Sequence, residues 1–313
     1  MDIHSAVETI DVVIVNWNAA HHLAACLEAL AACEDRSLIK SVIIVDNGSA
    51  DGSLDIALPP ALRIAIDRPG RNLGFAAGSN RGARKGTAPY ILFLNPDARP
   101  HSGALSAALA AFDRSSRIGI VGLRLIDEGG RTSRTCSRFP SATVFFARAL
   151  GLDLLPAFGH LGPFMKDWAH TTSRPVDQVM GACFLMRRAL FESLGGFDQR
   201  FFLYYEDVDL ALRVRQSGLI SWFEASGLVS HSGGGSSSRI PGRRLYYILA
   251  SRLAYTRKNF GRGGHLAVLL ITLLIEPWSR LLGAFLRSGT GGPAAVIAGY
   301  VLLLRHVAGK ANP

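Results

Sequence analysis

In the first 125 residues, short apolar runs alternate with Ala- and Leu-rich stretches, and most runs end in a polar, turn-forming cluster. The runs are "DVVIVNW" (11–17), "SVIIVDN" (41–47), "LRIAI" (62–66), "YILFLN" (90–95) and "IGIVGL" (118–123), with helix-like segments at 19–33 and 102–112. Strands that are apolar on both faces and alternate with helices predict an α/β fold, a mostly parallel sheet covered on each side. Ligands of such sheets gather beyond the carboxyl ends of the strands. There the sequence places "NWN" (16–18), "DNGSADGS" (46–53), "DRPGRNLGFAAGSNRG" (67–82) and "NPDA" (95–98). Each alone is an ordinary turn, since Asn-Gly and Pro end strands readily. Together they describe a cleft.

Residues 126–175 show weak periodicity and read as a variable insertion or mobile loop region on the acceptor side. A second ordered block spans 176–231: a strand-like "VDQVMGACFLM", a helix-like "RRALFESLG", the segment "FFLYYEDVDLALR" (201–213) and "LISWFEASGLVSH". The stretch 206–218 predicts a helix ended by Gly218, with Glu206, Asp207 and Asp209 in the first turn, where the helix dipole favours acids. Asp209 lies about 200° around the axis from Asp207 and four residues before Arg213, the spacing of an intrahelical ion pair. Glu206 and Asp207 are left to face the cleft, and a carboxylate held there among aromatics suits a general base.

Charge divides the chain. Residues 239–313 hold eleven Lys or Arg against one acid, Glu276, so the whole net charge of +10 sits in this last quarter. The same region carries "HLAVLLITLLIEPW" and "PAAVIAGYVLLLRHVAG". Basic residues interleaved with aliphatic runs suit an anionic membrane surface. Neither run reaches the roughly 18 uncharged residues of a spanning helix. Nucleic acid is the weaker reading, because phosphate contacts give no reason for long aliphatic stretches. The tail could equally pack on the catalytic part or on a second copy of the chain. Four scattered cysteines without a CxxC pair argue against a disulfide framework or a zinc site and favour a reducing compartment. Acids at Asp2, Glu8 and Asp11, with no apolar stretch before the first strand, do not read as a signal peptide. "GGGSSS" (233–238) reads as a flexible joint, so a catalytic domain is expected at 1–238 and a helical, basic, apolar extension at 239–313.

The motifs "VNWN", "VDNGSADGS", "NLGFAAGSNRG", "LNPDA", "GACFLMRRALFESLGGFD", "FFLYYEDVDLALRVRQSG" and "HSGGGSS" occur in an order that resembles family 2 glycosyltransferases of the GT-A fold, in particular the bacterial rhamnosyltransferase-like group. The resemblance covers residues 11–238 and fades over the tail. It implies a nucleotide-diphospho-sugar donor lying over the strand ends, with Mg²⁺ or Mn²⁺ on its diphosphate. Asp97 and His231 would face that cation. Asp207 would take the proton from an acceptor hydroxyl as configuration inverts. Asp46 and Asn16 would contact the nucleoside, and Arg71 and Asn72 the base or phosphates. Gly74 and Gly78 would let backbone approach the ligand, Asn80 would support that loop, and Asn95 would line the diphosphate end. His21 and His22 carry no such support. The basic, apolar tail suggests that the acceptor is a glycan or lipid-linked and that the protein sits at the inner face of the cell membrane.

Two positions depart from the family pattern. Asn95 replaces the first acid of the usual Asp-x-Asp, which leaves few protein ligands for a cation and implies weak metal binding without nucleotide. Gln199 stands where Glu is frequent. Competing readings are the same fold with a UDP-hexose or mannose-nucleotide donor, and a non-catalytic membrane scaffold. The joint presence of Asp97, Asp207 and His231 argues against the scaffold.

Overall fold

The computed structural model describes residues 8–233, 239–286 and 292–310. The first seven residues, part of the leader argument, and most of the Gly-Ser segment lie outside them.

The strand β1 (Ile10–Asn16) is buried at every residue because it runs through the middle of a sheet. It pairs in parallel with β2 (Ile39–Asp46) on one side and β4 (Tyr90–Leu94) on the other, and β2 pairs in parallel with β3 (Ile64–Asp67). These four strands are the parallel half that the apolar runs announce. Beyond β4 the sheet turns mixed. β8 (Cys183–Arg187) is antiparallel to β4, and β6 (Ile118–Ile126) is antiparallel to β8 and parallel to β9 (Ile220–His231). Two short strands, β5 (Ala98–Pro100) and β7 (Arg174–Val176), lie antiparallel on β9. β8 starts at the rim where β4 ends, and so sets Ala182 beside Asn95, whose N–H donates to the Ala182 carbonyl at 2.8 Å. "VDQVMGACFLM" is therefore two short strands around a rim loop (177–182), not one strand.

Alternate residues of the strands feed opposite faces. Val12, Ile14, Val42, Ile44 and Leu92 pack with α1 (His21–Ala32) and α3 (Ala104–Ala111). Val13, Ile91 and Phe93 pack with α2 (Gly74–Ala83), α5 (Arg188–Ser193) and α6 (Glu206–Gln216). α2 sits close to β1 because Gly82 leaves room for Val13: a Cβ there would lie 2.5 Å from its Cγ1. A charge is buried at the centre of this sheet. Asp11 on β1 is fully buried and accepts from the Arg188 guanidinium at 2.8 Å, from Ala88 N at 2.6 Å and from Ser41 at 2.5 Å.

The region 126–175 is not a bare loop. Ser141 caps α4 (Ala142–Ala149) by accepting from Val144 N at 3.2 Å. Phe145 enters a third apolar cluster with the C-terminal helices α7 (Pro241–Asn259), α8 (Gly261–Leu270) and α10 (Gly292–Val307). α8 runs through a π turn (Ile271–Ile275) into α9 (Glu276–Leu286), a continuous helical rod of 26 residues. By length and composition alone the rod could cross a membrane. The sequence run falls short, but helical residues on either side extend it. On its inner side Glu276 pairs with Arg252 of α7 at 2.7 Å, and both are buried. On its outer side Leu266, Leu270, Leu274, Trp278, Leu282 and Phe285 are exposed, Trp278 at 72% and Phe285 at 74%.

Candidate active site

The carboxyl ends of β3, β2, β1 and β4 bring Asp67, Asp46, Asn16 and Asn95 side by side along one rim. Asn16 is fully buried, and its amide nitrogen reaches Asp46 Oδ1 at 3.0 Å, Ser49 Oγ at 3.0 Å and Ser53 Oγ at 2.9 Å. The Asn16 side-chain oxygen, Oδ1, has no partner within the protein. An orphaned buried acceptor costs roughly 1–3 kcal/mol, so it offers a ligand donor a ready partner. Ala50 N donates to Asn18 Oδ1 at 2.8 Å and Ala20 N to Asp51 at 2.7 Å, which zips the first two rim loops together.

The third loop joins them. Asn47 donates to the Gly74 carbonyl at 3.0 Å, and Asn72 accepts from Gly74 N at 2.9 Å. Arg71 is exposed, with its backbone against Gly48. Gly74 has φ of +79°, and a Cβ on it would lie 2.3 Å from the Phe202 carbonyl. Its conformation thus answers to the aromatic run 201–205 as well as to any ligand. Asn80 points elsewhere: it is buried, donates to Phe197 O at 2.7 Å and accepts from Phe197 N at 2.8 Å. Those bonds clamp the turn after α5, so its place is a fold contact and the expected loop support is indirect. Gly78 packs on Val15, where a Cβ would lie 3.0 Å away, the close helix contact that a ligand-facing role overlooks.

At the other end of the rim Asp97 is buried, and His231 Nε2 lies 3.3 Å from its Oδ1. The antiparallel β5–β9 pairing, Ala98 opposite His231, joins these sequence-distant residues. Burial would raise the Asp97 carboxyl, but the imidazole overrides it and holds the acid below the usual range. Among the described residues no group of three or more His, Cys, Asp or Glu could hold a metal. One carboxylate and one imidazole fit a hard cation that takes its other ligands from phosphate and water, and do not fit an all-protein cage.

Asp207, in the first turn of α6, meets the loop that leads into β8, the strand beside β4. Its carboxylate accepts from Gly181 N at 2.9 Å and Gln178 Nε2 at 2.9 Å, and from Val208 N at 2.8 Å. Gly181 precedes the Ala182 that bonds Asn95, so the acid, the rim and the Asp97–His231 pair are linked in one continuous edge. Burial raises the Asp207 pKa above the ordinary aspartate range, against the pull of these donors. Glu206, buried beside it with Oε2 unpartnered, is pushed well above its ordinary value by burial and then by the Asp207 charge. Asp209 pairs with Arg213 at 2.8 Å, as its spacing requires, and also with Lys258 of α7 at 2.6 Å. Sequence reasoning missed Gln178 and Lys258. Gln178 lies inside the run read as a strand and gives no signal of its own, and Lys258 lies in the tail.

The model of glycosyl transferase family 2 matches residues 11–195. The chain belongs to that family. It is a glycosyltransferase, and its fold is of the GT-A type. It is 30% identical over 263 residues to the N-acetylglucosaminyl-diphospho-decaprenol L-rhamnosyltransferase of Mycobacterium tuberculosis, covering 78% of this chain and 85% of that one. Two solved structures share the fold. A mannosyltransferase, PcManGT, from Pyrobaculum calidifontis in complex with GDP-Man and Mn²⁺ has a TM-score of 0.56 at 17% identity, covering 94% of this chain and 86% of that one. GalNAc-T7 with UDP, GalNAc and Mn²⁺ has a TM-score of 0.54 at 18% identity, covering 72% and 44%.

Proposed function

We propose that this glycosyltransferase moves L-rhamnose from dTDP-L-rhamnose, with inversion, onto a hydroxyl of a lipid-linked glycan at the cytoplasmic face of the cell membrane. The reading is carried by the single rim that runs from Asn16 and Asp46 past Asp97–His231 to Asp207. The 30% identical rhamnosyltransferase supports the sugar and the lipid-diphosphate acceptor. Asn16 and Asp46 would hold the nucleoside, and Arg71, Asn72 and Gly74 the base and phosphates. Asn95 would line the diphosphate.

Asp207 acts from the far side of the sugar. Its raised pKa makes it a stronger base than an ordinary aspartate. It takes the proton of the acceptor hydroxyl as that oxygen bonds to the anomeric carbon. The bond from that carbon to the diphosphate oxygen breaks on the opposite face, so the configuration inverts. Asp97 and His231 would hold Mg²⁺ or Mn²⁺, which when bound offsets charge on the departing diphosphate. The two solved neighbours described with Mn²⁺ support this assignment.

Residues 239–313 would form the membrane-facing part. The rod's outer stripe recurs every three or four residues, which on a helix is one side. The Arg252–Glu276 pair on the inner side favours a rod lying on the surface, since spanning would strand those charges in lipid.

Asp207→Asn should lower kcat by about 10²–10⁴-fold, the range of a lost general base, with dTDP affinity by calorimetry within threefold of the parent. Undiminished turnover would remove Asp207 from this role. A thermal-shift panel of dTDP, UDP and GDP sugars with and without Mn²⁺ tests the donor.

A further inference from the structure

The segment that delivers Asp207 is strained. Tyr204 and Tyr205 both take positive φ, +70° and +67°, immediately before α6 begins at Glu206. Consecutive non-glycine residues in the left-handed region are strained, and they persist only where neighbours impose them.

The neighbours lie on α7. Arg244, Tyr247, Ser251, Tyr255 and Lys258 are spaced three or four apart and so share one side of the helix. Each touches the segment 198–209. Arg244 donates to the Tyr204 hydroxyl at 3.2 Å, and the Tyr247 ring stacks on Phe202 at 4.9 Å. Ser251 donates to the Leu203 carbonyl at 2.8 Å, and the Tyr255 ring lies 5.6 Å from that of Tyr205. Lys258 pairs with Asp198 at 2.8 Å and Asp209 at 2.6 Å, bracketing the segment at both ends. Ser251 is buried, so its hydroxyl serves the interior of this contact. The braced run reaches the donor side too, because the Phe202 carbonyl accepts from Phe75 N at 2.7 Å.

We propose that α7 belongs to the catalytic apparatus, with Ser251 and Lys258 as positioning residues that hold the Leu203–Tyr205 turn and through it the Asp207 carboxylate. This rests on the assignment of Asp207 as base. The C-terminal region then has a part in turnover separate from attachment to lipid, and the enzyme should need these residues even with a soluble acceptor.

The experiment uses the full-length enzyme, dTDP-L-rhamnose and a short-chain, water-soluble N-acetylglucosaminyl diphosphate acceptor, without membranes. Ser251→Ala and Lys258→Met should each lower kcat about tenfold, a loss of about 1.4 kcal/mol in transition-state stabilisation, while the donor KM changes by less than threefold. Lys258→Arg should recover most of the rate. The proposal is overturned if both variants keep the parental kcat, or if kcat falls and the arginine does not restore it. Should Lys258→Met fail to fold, the milder Ser251→Ala decides alone. A parent enzyme inactive on this pair would instead sink the functional reading, and the brace with it.

Discussion

At the scale of single residues, the two adjacent acids of α6 are held differently. Asp207 has three hydrogen-bond donors, whereas Glu206 is buried with an unpartnered oxygen. Its raised pKa means the folded protein keeps a proton that the unfolded chain releases. The stability contributed is full below the ordinary glutamate pKa and is lost as pH rises toward the folded value. Glu206→Gln should therefore raise the melting temperature at pH 8 and change it little at pH 4, read by paired thermal denaturation. A gain of equal size at both pH values would contradict the protonated state. The Asp97–His231 pair makes a second prediction. With two protein ligands, Mn²⁺ affinity of the free enzyme should be weak, with a Kd of order millimolar, and should tighten at least tenfold with dTDP. Tight binding by calorimetry without nucleotide would refute it. That Asp97 and His231 would meet was legible only through the order of the family motifs that carry them. The grip of Gln178 on Asp207 was not, since it depends on how a rim loop meets a helix from a distant part of the chain.

At the scale of elements, the parallel half of the sheet was readable because apolar runs and turn clusters alternate regularly. The antiparallel entry of β8 was not, because strand direction rests on pairing between segments remote in sequence. That junction also carries the buried Asp11–Arg188 pair, with Arg188 donating to the Ala83 and Ala88 carbonyls at 2.6 Å each. Removing one member of a buried pair leaves an uncompensated charge, which costs about 3–5 kcal/mol. Arg188→Met should lose that much in urea unfolding, and Asp11→Leu in the same chain should return most of it. The helix α4 within 126–175 was not legible, because it is short and finds its partners in α8 and the π turn, far along the sequence.

At the scale of the whole molecule, the charge map sets residues 239–313 apart by composition and leaves open what they pack on. α7 sits against the aromatic run 201–205, and the rod behind it presents a continuous apolar side. Leu274→Ser with Trp278→Ser should lower co-sedimentation with anionic phospholipid vesicles by about tenfold or more, since each large apolar group is worth roughly 1.5–3 kcal/mol when buried. Transfer to a soluble acceptor should stay near the parent rate. Unchanged sedimentation would remove the rod from the membrane reading.

If the rod lies on lipid as proposed, the Arg252–Glu276 pair would fix how it does so. A rod pinned from beneath by a buried carboxylate cannot roll or sink to bury its other side without breaking that bond. On the proposed reading its depth in the headgroup layer would be set, and Asp207 would stand at a constant height over the acyl chains. The fold would then work as a gauge: only acceptor hydroxyls carried at that height on their lipid would reach the base, whatever the length of the chain below.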